Sequence, residues 1–154
     1  MELMTKATLD KDFQTFAEVT MKESNSFHAT CADTFPPIFY MNDVSKAAIR
    51  VVENINAKAG KLVAAYTFDA GPNAVIYYEE ENTAAVAGAV KSFLGSVDGW
   101  QSKEIAATNS EALDERAIQV LKDGVARVIL TGVGGDPLKT EDSLIALDGE
   151  SVKK

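Results

Sequence analysis

Apolar residues first fall into a helical stripe over residues 10–23, where Phe13, Phe16, Ala17 and Met21 stand at i, i+3, i+4 and i+8. Asp10 ahead of them can cap the start by accepting backbone N–H groups. The period breaks over 24–42. Ser24-Asn25-Ser26-Phe27-His28-Ala29-Thr30 is followed by Pro36-Pro37, which removes donors and biases Phe35 away from helix. This stretch reads as a long loop. Phe35, Ile38, Phe39, Tyr40 and Met41 predict that it packs down onto the protein.

A second helix begins at Asn42 or Asp43, with Val44, Ala47, Ala48, Val51, Val52 and Ile55 on one face. Gly60 suits the left-handed residue beyond its end. Residues 62–68 and 74–78 read as strands, and Asp69-Ala70-Gly71-Pro72-Asn73 between them as a turn. Strands joined by so short a connection are antiparallel, because a parallel crossover needs about a dozen residues. Another helix follows Asn82 or Thr83, carrying Val86, Ala89, Val90, Phe93 and Leu94, with Gly95 after it. Residues 95–108 look irregular. Leu113, Ala117, Val120 and Leu121 suggest a fourth helix, and 126–131 a third strand ended by a glycine cluster at 132–135. From about Lys139 the chain is polar and reads as loosely held.

The order helix, loop, helix, hairpin, helix, helix, strand predicts an α+β fold, with an antiparallel sheet covered by helices on one face. Residues 1–154 form a single domain. Three strands leave an edge that wants a cover or a fourth strand, a hint of something larger.

Composition narrows the function classes. Hydrophobic residues make up 46% and charged residues 25%, ordinary for a globular protein, so disorder and fibrous classes are set aside. A formal charge of −8 repels nucleic acid and anionic lipid, and no Lys/Arg cluster reads a phosphate backbone. Neither a nucleic-acid nor a membrane partner is expected. The start lacks the apolar run of a signal peptide, and no stretch approaches the ~18 apolar residues of a span. A soluble, cytoplasmic protein is the expectation. One cysteine, Cys31, and one histidine leave neither a disulfide nor a His/Cys metal cage. Cys31 reads as a small buried apolar residue.

Asp69 ends an apolar strand and opens a tight turn. A carboxylate held at a sheet's rim can serve as a base. The plainer reading is that it caps its own turn through a side-chain oxygen. His28, between Phe27 and Ala29, reads as a hydrogen-bonded structural residue or as a catalyst. Ser24, Asn25, Ser26 and Thr30 can hold an anion or satisfy turn backbone. No nucleophile elbow is present, and the glycine cluster lacks the Gly-Lys-Ser/Thr ending of a phosphate loop. No site for ATP or its magnesium is visible.

Three stretches carry a resemblance: Ser24-Asn25-Ser26-Phe27-His28-Ala29-Thr30-Cys31, Phe35-Pro36-Pro37-Ile38-Phe39-Tyr40-Met41-Asn42-Asp43, and Ala65-Tyr66-Thr67-Phe68-Asp69-Ala70-Gly71-Pro72-Asn73-Ala74-Val75. They resemble the eukaryotic mevalonate diphosphate decarboxylases of the GHMP kinase superfamily. Leu94-Gly95-Ser96-Val97, Gly99-Trp100 and Ala126-Arg127-Val128-Ile129-Leu130-Thr131 match as well. The resemblance implies a GHMP-kinase C-terminal-domain-like fold, facing a cleft that an amino-terminal ATP-binding lobe, absent from this sequence, completes.

It also implies the reaction. ATP phosphorylates the tertiary hydroxyl of mevalonate 5-diphosphate, and phosphate and carbon dioxide then leave to give isopentenyl diphosphate. By the same resemblance Asp69 is the catalytic base. Ser26, His28 and Gly71 are substrate neighbours, with Gly71 also serving turn geometry through its freedom at positive φ. ATP and Mg2+ are held mainly by the missing lobe, and this chain supplies no metal ligand. The implied assembly is a homodimer. Two alternatives stand beside this reading: a non-catalytic dimerisation module, and a small-molecule kinase of the same superfamily that phosphorylates and stops.

Overall fold

A computed structural model describes residues 1–102, 104–109 and 113–152. Helices α1 (Glu2–Asp10), α2 (Phe13–Asp33) and α3 (Asp43–Ala59) come first. The hairpin β1 (Ala65–Thr67) and β2 (Val75–Tyr77) follows, then α4 (Ala89–Leu94) and α5 (Glu115–Gly124). Single 3-10 turns at Glu80–Asn82 and Trp100–Ser102 and a π-turn at Ala84–Gly88 lie between these elements.

The opening segment holds a helix, α1, that the hydrophobic pattern does not reveal, because only Ala7 of it is buried. Asp12, not Asp10, caps α2. Its carboxylate accepts from the Thr15 N–H at 3.1 Å and the Thr15 hydroxyl at 2.6 Å. The helix then runs straight through the predicted loop to Asp33. Its buried face continues as Ala17, Thr20, Ser24 and His28, so the helical period persists while the residues that carry it turn from apolar to polar.

The Pro36-Pro37 segment is irregular and lies on the surface. Phe35 is 100% and Phe39 76% exposed, and Ile38 is exposed too, against the expectation of burial. Tyr40 and Met41 turn inward and are half-buried. Cys31 is also only half-buried.

Helix α3 follows the predicted pattern. Asn42 Oδ1 accepts from the Ser45 N–H at 3.0 Å, and Ser45 Oγ accepts from the Asn42 N–H at 3.3 Å, a reciprocal capping box. Gly60 ends the helix at φ 68°.

The strands are antiparallel, pairing Ala65 with Tyr77, Tyr66 with Ile76 and Thr67 with Val75. They are shorter than predicted because side chains take the place of the ladder over 62–64. Gln14 exchanges two hydrogen bonds with Leu62, and Asn56 binds Val63 and Ala64.

The expected strand over 126–131 does not form. One parallel bridge joins Asp98 to Arg127, and the Val128 N–H donates to Asp98 O at 2.8 Å. Gly99 explains the close approach: at φ 109°, a Cβ there would lie 1.7 Å from Val128 O. The sheet therefore has two strands among the described residues. Beyond residue 131 the described chain is exposed, with one bridge between Ile145 and Ser151.

The core lies between α3, β1, the π-turn, α4 and α5. Val51, Val52, Ile55, Val63, Phe93 and Leu121 all belong to it. Trp100 closes it, its indole N–H donating to Leu94 O at 2.9 Å and Lys91 Nζ lying 5.7 Å from its ring centroid.

Candidate functional site

The hairpin turn 69–73 is held by its backbone and leaves its carboxylate free. Ser24 Oγ, on α2, accepts the Phe68 N–H at 3.1 Å. Ser45 Oγ, on α3, donates to the Pro72 carbonyl at 2.9 Å. Both serines are 1% exposed. Between these two points the Gly71 N–H donates to Asp69 O at 2.7 Å. One residue pair earlier, the Tyr66 hydroxyl donates to Asn25 Oδ1 at 3.1 Å.

The Asp69 side chain is exposed and has no hydrogen-bond or ion-pair partner among the described residues. The self-capping reading is therefore not what the structure contains. An aspartate that spends neither oxygen on its own turn keeps both for an incoming hydroxyl.

Gly71 does not take a positive φ, so the turn does not require glycine for the reason expected from its sequence. A Cβ at Gly71 would meet no atom within 4 Å. That flank of the turn is open space.

His28 is 8% exposed and sits in an aromatic nest. Its ring lies 5.1 Å from Phe27 and 6.3 Å from both Tyr40 and Phe68, edge-on to each. Its Nε2 is buried without a partner among the described residues, so the hydrogen-bonded structural role does not hold at that atom. The structure thus connects His28 to Asp69 through Phe68. It does not bring Ser26 in. Ser26 lies two residues from both Ser24 and His28, roughly 200° round the helix from each, and is exposed.

Asn25, read from the sequence as an anion holder or a partner for turn backbone, stands on the helix instead of in a loop. With His28, Ala29, Ile38, Tyr40 and Met41 it lines an open groove of about 690 Å³. The i, i+3, i+4 spacing of Asn25, His28 and Ala29 was the available signal, and it needed the helix to be recognised first. Lys46 at the groove's edge is engaged with Asp43 at 3.1 Å. No group of three His, Cys, Asp or Glu side chains among the described residues could hold a metal ion. No described helix is long and apolar enough to cross a membrane.

Comparison with known proteins converges on one family. Residues 1–140 match the family described as mevalonate 5-diphosphate decarboxylase C-terminal domain. The diphosphomevalonate decarboxylase of Gibberella zeae is 59% identical over 144 residues, covering 94% of this chain and 38% of that protein. A crystal structure of mevalonate 5-diphosphate decarboxylase superposes with a TM-score of 0.80 at 47% identity, over 96% of this chain and 40% of its own. A structure of MDDEF in complex with MVAPP, AMPPCP and magnesium gives 0.51 at 28% identity, over 56% of this chain and 26% of its own. The chain thus spans about two fifths of the length of the curated relatives it matches. With its helices packed on a small antiparallel hairpin and the Asp-Ala-Gly-Pro-Asn turn at the hairpin's tip, the chain belongs to the mevalonate 5-diphosphate decarboxylase C-terminal domain family.

Proposed function

We propose that this chain is the lobe that presents the catalytic base in an ATP-dependent decarboxylase acting on mevalonate 5-diphosphate. The observation that carries the reading is Asp69: an unpartnered carboxylate on a turn whose backbone is pinned on both sides. A tertiary alcohol is a poor acid and a hindered nucleophile. A fixed carboxylate within ~3 Å of its oxygen accepts the proton and aligns the attack on the terminal phosphoryl group of ATP. Phosphate and carbon dioxide then depart together, leaving isopentenyl diphosphate.

The open flank at Gly71 supports close approach of the substrate to the turn backbone. His28 stands behind Phe68 as a neighbour of that site. Ser26 faces elsewhere and would reach substrate only from the far side of α2.

The described residues do not provide a magnesium site, and none places a cation against Asp69. In this reading ATP and its metal belong to a second lobe. The MDDEF complex with MVAPP, AMPPCP and magnesium supports a reaction that uses a nucleotide and a metal. Assembly of the whole enzyme as a homodimer is part of the same reading.

The test joins this chain to the amino-terminal portion of the Gibberella zeae relative and follows carbon dioxide release. The fused protein is expected to turn over and the isolated chain to be inactive. Asp69→Asn in the fused protein should lower the rate by roughly 10³-fold. A near-normal rate for that variant removes Asp69 from the mechanism. Detection of phosphorylated product without decarboxylation would favour the kinase reading.

A further inference from the structure

The Asp69 side chain makes no hydrogen bond or ion pair among the described residues, so the bonds that fix its position act through the backbone. The backbone is fixed at two points only a few residues apart, by hydroxyls from two different helices. Ser24 Oγ meets the Phe68 N–H at 3.1 Å on one side, and Ser45 Oγ meets the Pro72 carbonyl at 2.9 Å on the other. Ser45 is itself locked by the Asn42 capping box, which leaves its hydroxyl little freedom to turn away. Both serines are almost wholly buried, so water does not compete for these bonds.

Ser45 serves its own helix and the turn at once, as the third residue of the capping box, but helix formation does not explain Ser24. Serine is a mediocre helix former, and Ser24 lies in the middle of a long helix. Its hydroxyl is spent on Phe68, just past the end of β1, instead of on its own helix backbone. From this we infer that Ser24 and Ser45 are positioning residues for Asp69, a pair of buried hydroxyls that set where the carboxylate stands. The inference rests on the functional reading above.

Effective alignment falls steeply with distance, and a shift of about 1 Å at a reacting group can cost roughly 10²-fold. In the fused enzyme, Ser24→Ala is expected to lower kcat by about 10- to 100-fold while changing KM less than about threefold. Ser45→Ala should act in the same direction, and Ser24→Thr, which keeps the hydroxyl, should recover most of the loss. Should Ser24→Ala melt below the assay temperature, Ser24→Cys takes its place, since sulfur is a weak acceptor of similar shape. Tyr66→Phe is the control for loosening alone: it breaks a hydrogen bond between the same helix and strand without touching the turn. It should leave kcat within about twofold of the parent.

A double variant separates a positioning role from a structural one. If Ser24 acts through Asp69, adding Ser24→Ala to Asp69→Asn causes little further loss of kcat. Full additivity, an unchanged kcat in both serine variants, or an equal loss in Tyr66→Phe overturns the inference. The underlying reading fails separately, if Asp69→Asn alone keeps its rate.

Discussion

The Asn56 carboxamide pairs with the Ala64 backbone as a neighbouring strand would: its Nδ2 donates to Ala64 O at 2.9 Å and its Oδ1 accepts the Ala64 N–H at 3.0 Å. The same Oδ1 accepts the Val63 N–H at 2.8 Å. One buried side chain on α3 therefore ends the need for a third strand beside residues 63 and 64, and aims the chain into β1. Truncating it leaves buried backbone groups unpaired, each costing about 1–3 kcal/mol. Asn56→Ala should destabilise the chain by about 3 kcal/mol, read from urea denaturation with the slope held constant. A loss below about 1 kcal/mol would show that water replaces the carboxamide.

Gly71 separates folding from function more sharply than any other position in the turn. Its φ is not left-handed and a Cβ there meets nothing, so the fold has no need of glycine. Gly71→Ala should leave the stability of the isolated chain within about 0.5 kcal/mol of the parent. In the fused enzyme the added methyl enters the space assigned to substrate and should raise KM by about tenfold or more, which steady-state kinetics would read. Unchanged KM would mean that substrate does not approach that flank.

Much of the fold was legible where one physical signal dominated. The α3 stripe, its Asn42 cap and Gly60 beyond it combine period, capping and left-handed geometry, and all three agree. The hairpin was legible because five turn-forming residues separate two β-rich runs. The second half of α2 was not. There the buried face is Thr20, Ser24 and His28, and the hydroxyl of Ser24 gains its partner from Phe68, far along the chain. A hydrophobic pattern cannot register burial that tertiary hydrogen bonds make possible. The strand at 126–131 failed for the opposite reason: its β-branched residues fit a sheet, but the chain beside them at Asp98 and Gly99 offers a single bridge. Asp69 was legible as a candidate from its place in the turn. That its carboxylate is free, and which serines hold it, depends on contacts that sequence spacing does not contain.

Two helix caps contribute stability that acid removes. The Asp12 carboxyl is held below its ordinary value of 3.8 chiefly by the Thr15 hydroxyl, and that of Asp114 chiefly by the Ala117 backbone N–H. Both groups titrate lower folded than unfolded. Their contribution is therefore present above about pH 4 and is lost as pH falls through the folded values. Thermal melts between pH 6 and pH 2.5 should show a decline that Asp12→Asn and Asp114→Asn each reduce, since asparagine caps comparably but carries no carboxyl to protonate. A double variant whose melting temperature falls as steeply as the parent's would assign that decline to other groups.

His28 offers a final test, because its two possible roles predict opposite outcomes in two assays. Its Nε2 is buried with no partner among the described residues, which costs stability, while its ring packs edge-on against Phe27, Tyr40 and Phe68. Replacing an unsatisfied buried polar group with an apolar one of similar size is neutral or stabilising. His28→Leu should therefore leave the isolated chain as stable as the parent or more stable by about 1 kcal/mol, measured by urea denaturation. In the fused enzyme the same variant should lower kcat/KM by at least about tenfold if the imidazole reaches the substrate or the second lobe. Equal stability together with full activity would confine His28 to packing behind Phe68. A clear loss of stability in the isolated chain would instead mean that Nε2 finds a partner within this lobe, and the groove it lines would lose its claim on a ligand.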